Sequence, residues 1–149
     1  MIKIFASLLF YLTFVHLHAS EVKFEKIIDG LNNPWSLSFI DNEKIIFTEK
    51  PGKLYTLNLS NKKIVEIKHN LEVLEYGQGG LLDVLYKDKI VYISYSEKRD
   101  NWATSTSVAK GAFNQKDIEF INIFRAEPPI DSMYHFGSRL AIKDKYLFI

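Results

Sequence analysis

A chain of 149 residues, 47% hydrophobic and 25% charged, has the length and balance of one globular domain. Its 19 basic and 18 acidic residues nearly cancel and form no basic block or stripe, which argues against nucleic acid as a partner. The chain holds no cysteine, so disulfides and thiolate metal sites are excluded.

The first predicted element is a leader. Lys3 provides a short positive region, Ile4 to Leu17 is an almost unbroken apolar run, and His18-Ala19-Ser20 brings small residues before Glu21. This is the layout of a signal peptide over residues 1–20, cleaved after Ala19 or Ser20, with residues 21–149 as the mature portion. An apolar run of about 14 residues falls short of the roughly 20 that span a bilayer. No later run approaches that length, so the expected product is periplasmic or secreted, with no membrane segment once the leader is removed. Loss of Lys3 leaves 18 basic against 18 acidic residues. Without cysteines, packing alone must stabilise the exported chain.

Strands follow. Aromatic residues make up 14% of the chain and fall in short β-branched runs punctuated by turn residues, an all-β signature. "KIIFTE" (Lys44 to Glu49) follows the turn Asp41-Asn42, and "KLYTLNL" (Lys53 to Leu59) follows Pro51-Gly52, which predicts a hairpin. "KIVEIKH", "GLLDVLY", "KIVYISYS", "TSVAKGAF" and "IEFINIF" continue the series. No segment beyond the leader carries a convincing helical period.

These runs resemble one another at a longer period. "WSLSFIDNEKIIFTE", "GLLDVLYKDKIVYISYS" and "GSRLAIKDKYLFI" each have an apolar strand, a charged turn, and a lysine followed by three apolar or aromatic residues. Lys44, Lys89 and Lys145 mark equivalent points, about 45 and about 56 residues apart, a spacing that fits one four-stranded propeller blade per repeat. Each such sheet has two apolar faces and must be covered by neighbours. The expected fold is therefore a β-propeller, represented here by about two blades and the start of a third. An open meander or sandwich of hairpins is the alternative, but it leaves the recurrent lysine-led strand without a reason.

Two motifs could carry chemistry. In "EYGQGGLLDV", Gly77-Gln78-Gly79-Gly80 precedes a strand, so the backbone can turn tightly while Gln78 offers two donors and an acceptor. It is not a phosphate loop, because it lacks the Gly-Lys-Ser/Thr ending and enters a strand instead of a helix. Taken alone, it reads as a turn with no ligand. Beyond the leader the histidines are His69 and His135, too few for a multi-histidine metal site. On composition alone His135 is a structural or merely exposed histidine, although an imidazole can act singly as a general base. Its position adds weight: like Gln78, it stands just before the first strand of a repeat, and such positions converge on one mouth of a propeller channel. Trp35 reads as a core aromatic between blades, Arg139 as part of a structural ion pair, and Asp83 and Glu49 as single strand carboxylates. Asp117, Glu119 and Glu127 read as solvated charges.

"LNNPWSLSFIDNEKIIFTEKPGKL", "GQGGLLDV" and "HFGSRLAI", in this order, resemble the glucose/sorbosone dehydrogenase family, the soluble pyrroloquinoline quinone (PQQ) dependent aldose sugar dehydrogenases. The resemblance spans roughly Val22 to Ile149 and departs from the family pattern at Met133-Tyr134. It implies a six-bladed propeller with PQQ and calcium in the top of the channel, an aldose sugar as substrate and a soluble electron acceptor. It also implies roles for two residues. His135 matches the histidine that takes the proton from the sugar's anomeric hydroxyl as hydride passes to the quinone, and Gln78 matches a glutamine that lies against the cofactor. The remaining cofactor contacts and the calcium ligands belong to later blades of the family, so the expected chain is an N-terminal portion with little activity of its own. Two alternatives stand beside this one: a non-catalytic secreted propeller that binds a sugar or protein, and a lactonase-type propeller hydrolase with a carboxylate-held metal.

Overall fold

The computed structural model describes residues 22–149, so the expected leader lies outside the described residues. The first sheet is β1 (Pro34–Phe39), β2 (Lys44–Glu49), β3 (Lys53–Asn58) and β4 (Ile64–His69), paired antiparallel in chain order. The second contains β5 (Leu81–Lys87), β6 (Ile90–Lys98), β7 (Thr104–Ala112) and β9 (Ile121–Arg125), again antiparallel. β10 (Ala141–Lys143) and β11 (Tyr146–Phe148) form the opening hairpin of a third. These are two four-stranded blades and the start of the next, as the repeat predicts. The helical content of the described residues is one short 3-10 turn, Asp100–Trp102.

Local chemistry fixes the hairpins. β5 and β6 are joined by Asp88-Lys89, both at positive φ (51° and 64°), the geometry of a type I′ turn whose twist matches the strands it joins. Lys44 opens β2, whereas Lys89 and Lys145 stand in the turns just before β6 and β11. The recurrent lysine therefore marks the start of each blade's second strand.

One predicted strand is divided. "IEFINIF" reads as continuous, but β8 (Asp117–Ile118) pairs in parallel with β4 of the first blade, while β9 pairs with β7 of the second. The crossing falls at Glu119-Phe120 and is held by Asn70. Its Oδ1 accepts the Phe120 N–H at 2.8 Å, and its Nδ2 donates to the Phe120 carbonyl at 3.0 Å and to Glu119 at 2.8 Å. A side-chain amide thus satisfies the backbone where the ladder changes partners.

The blades are joined through a buried cluster. Ile46, Leu54 and Ile67 of the first meet Leu81, Val84, Val91, Ile93, Tyr95 and Ala109 of the second, with Ile118 and Phe120 from the crossing. Full burial of each large apolar side chain contributes roughly 1.5–3 kcal/mol. Because side chains alternate along a strand, Ile45, Phe47 and Leu57 face the opposite way, under Ile28 and Leu31 of the segment before β1. Innermost strands β1 and β5 approach through hydroxyls: Ser36 Oγ bonds Asp83, and Ser38 Oγ accepts the Tyr86 N–H at 3.0 Å.

Candidate functional site at the strand-leading loops

Two loops, residues 76–80 leading into β5 and residues 131–140 leading into β10, come together although about 57 residues separate them. The Gln78 N–H donates to the Met133 carbonyl at 2.8 Å, and the His135 N–H donates to Gln78 Oε1 at 3.0 Å. Gly77, at φ +57°, is required for this approach: a Cβ there would collide with the Met133 carbonyl oxygen. Lys50, from the β2–β3 turn, braces the same loop from the first blade. Its Nζ donates to the Gly77 carbonyl at 2.5 Å and its carbonyl accepts the Leu81 N–H at 2.9 Å. The structure thus brings together the two site residues singled out in the sequence.

Gln78 and His135 are both exposed. His135 lies in the left-handed region at φ +67°, sparsely populated for a residue with a Cβ. Its ring lies 6.2 Å from that of Tyr134, tilted by 50°, so an aromatic face stands beside the imidazole. The hydrogen bond to His135 uses only Oε1 of Gln78; the Nε2 group has no protein partner among the described residues.

The segment after His135 is pinned at alternate residues. Phe136 is buried and its carbonyl accepts from Thr106 Oγ1 at 3.1 Å; the Ser138 carbonyl accepts from Ser94 Oγ at 2.5 Å. Asp83, 3% exposed, accepts the Leu140 N–H at 2.6 Å as well as the Ser36 hydroxyl, so one carboxylate links the leading strands of all three blades. Arg139 lies 3.5 Å from that carboxylate with its side chain 86% exposed, the ion pair expected but a solvated one.

Trp35 lies on the face of the first blade turned away from the second. It is 46% exposed, and its indole N–H donates to Ser138 Oγ at 3.1 Å. The reason is alternation along β1: Ser36 and Ser38 face the second blade, so Trp35, Leu37 and Phe39 face away from it. Of the charges read as solvated, Glu119 bonds Asn70 and Glu127 pairs with Arg99 at 3.0 Å while remaining exposed.

His69 serves the scaffold. It ends β4, its Nε2–H donates to the Gly52 carbonyl at 3.1 Å, its Nδ1 accepts the Leu71 N–H at 3.3 Å, and burial lowers its pKa. Sequence reasoning missed a second polar cluster, around Glu97. Its carboxylate accepts from Arg125 Nε at 2.7 Å and Nη2 at 2.6 Å, from Ser107 Oγ at 2.6 Å and from Asn122 Nδ2 at 3.0 Å. Burial alone would raise its pKa, but the bonds from Arg125 and Ser107 outweigh that and hold it below the usual carboxylate range. Tyr95 donates to Asn122 at 2.8 Å, and burial pushes its phenol up to about 12. Nothing local in the sequence marks this cluster, because its members come from three strands. Among the described residues no group of three or more histidine, aspartate or glutamate side chains is placed to hold a metal ion.

The family model described as glucose/sorbosone dehydrogenase matches residues 31–149. The chain is 33% identical over 138 residues to aldose sugar dehydrogenase YliI of Escherichia coli, covering 86% of this chain and 37% of that protein. Among solved structures, a glucose dehydrogenase superposes with a TM-score of 0.77 at 34% identity, over 84% of this chain and 39% of the other. The apo-form of the soluble aldose sugar dehydrogenase of E. coli gives 0.73 at 30% identity, over 79% and 37%. The PQQ-bound aldose sugar dehydrogenase of Streptomyces coelicolor shares the fold, with a TM-score of 0.66 at 18% identity, over 78% and 36%. The chain thus spans well under half the length of these relatives. Its motifs, its two and a fraction propeller blades and the family match over 119 of its 149 residues agree: this chain belongs to the glucose/sorbosone dehydrogenase family.

Proposed function

We propose that these residues form the amino-terminal blades of an exported sugar dehydrogenase that oxidises aldoses to lactones, with His135 as general base and Gln78 as a cofactor contact. The observation that carries this reading is the direct bond between the two motifs, His135 N–H to Gln78 Oε1, at the leading ends of neighbouring blades. PQQ would supply the two-electron acceptor for hydride leaving the anomeric carbon. The residues fit such a group: it presents carboxylate and quinone oxygens, all acceptors, and Gln78 Nε2 offers two donors unengaged among the described residues, with the Lys50 ammonium close by. As the C–H bond breaks, the hydroxyl proton must leave for the carbonyl to form, and the exposed His135 imidazole can take it.

The proposal extends to a soluble electron acceptor, to calcium held by residues outside this chain, and to a periplasmic or secreted location set by the leader over residues 1–20. It also holds that the 149 residues alone oxidise little or no sugar. The test is dye reduction by the full-length protein with PQQ, calcium and an aldose. His135→Gln should lower kcat at least about 100-fold, in line with the loss of a general base. A His135→Gln protein with unchanged kcat would remove the base assignment, and sugar-dependent reduction by the 149-residue chain with added PQQ would remove the statement that it is inactive alone.

A further inference from the structure

We infer that Gln78 is also the positioning residue for His135, with one end of its carboxamide fixing the base and the other left for the cofactor. This inference rests on the functional reading above. His135 occupies a left-handed backbone conformation, strained for a residue with a Cβ, so something must hold it there. The His135 N–H donates at 3.0 Å to Gln78 Oε1, and the Gln78 N–H donates at 2.8 Å to Met133 two residues upstream. These two bonds clamp the histidine segment on its approach side. Beyond it, Phe136 is buried and its carbonyl is tied to Thr106. The imidazole is exposed, and what these bonds hold is the backbone from which it projects. Gln78 is in turn seated by Lys50, whose Nζ holds the Gly77 carbonyl. A displacement of the base by about 1 Å is enough to cost on the order of 100-fold in rate.

Two variants of the full-length protein separate the ends of the side chain. Gln78→Glu keeps an oxygen facing the His135 N–H and removes the amide donors; Gln78→Leu removes both. Selective 15N-histidine labelling reads the His135 amide directly without cofactor, with the His69 amide as internal control. The expected result is a His135 amide shift retained in Gln78→Glu and moved upfield in Gln78→Leu, with His69 unmoved in both. With PQQ saturating, kcat should fall about 10- to 100-fold in Gln78→Leu. The inference is overturned if the two variants coincide in the His135 shift, or if Gln78→Leu leaves either the shift or kcat at its wild-type value. Failure of the underlying reading looks different: kcat is then insensitive to His135→Gln, whatever Gln78 does to the amide.

Discussion

At the scale of single residues, burial and partners decide which charges matter. Asp83 and Glu97 are buried carboxylates with several donors each, whereas Arg139, 86% exposed, adds little to its pair in high-dielectric solvent. Glu97 gives a pH prediction. Its folded pKa lies below the unfolded value, so its contribution is complete above the ordinary carboxylate range and is lost as pH falls through the lower folded value. The urea midpoint should therefore drop on acidification from about pH 5 to about pH 3. Glu97→Gln should lower the midpoint at pH 6 and flatten that acid limb; an unchanged limb would mean that the Arg125 and Ser107 bonds do not set the titration. His69 acts with the same sign at higher pH. Its neutral form is favoured in the fold, so stability declines as pH falls below the unfolded value of 6.5 and unfolded imidazoles take up protons.

At the scale of elements, much was legible because strand chemistry is local. Pro51-Gly52 and the lysine-led runs marked hairpins, and the repeat placed blade boundaries where the sheets do divide. The Asn70-supported crossing was not legible, since Ile118 to Phe124 reads as one β-branched and aromatic run and only a residue about 50 positions earlier divides it. Which face Trp35 takes was not legible for a related reason: it depends on the register of Ser36 and Ser38 against β5. Gln78 and His135 were found through motif likeness, and their mutual hydrogen bond came only from the folded loops. Gly77 tests the junction of those loops. Gly77→Ala adds a Cβ against the Met133 carbonyl and a positive-φ penalty of about 1 kcal/mol. It should speed amide exchange at Gln78 and His135 with the β2–β3 ladder unaffected. Equal protection in the variant would mean that the loops dock without close approach.

At the scale of the molecule, the first blade is covered unequally. One face meets the second blade, while the other leaves Trp35, Leu37 and Phe39 (46%, 54% and 62% exposed) beside a groove of about 750 Å³ lined also by Ile28, Phe47 and Leu57. An apolar surface of this kind binds hydrophobic probes and drives association. The 149 residues alone should bind an anilinonaphthalene dye and elute from a sizing column with concentration-dependent size. Leu37→Glu with Phe39→Lys should reduce both, and no change in either would place the association elsewhere. The Asp83 carboxylate that links three blades bears on the order in which the chain can assemble. Asp83 is synthesised well before Leu140, and its bond to the Leu140 N–H cannot form until about 57 further residues have been added. Until then the carboxylate lacks one of its native donors, and the first two blades remain an open clasp. Docking of the segment that carries His135 is therefore the closing step of this linkage, completed only when Leu140 reaches Asp83.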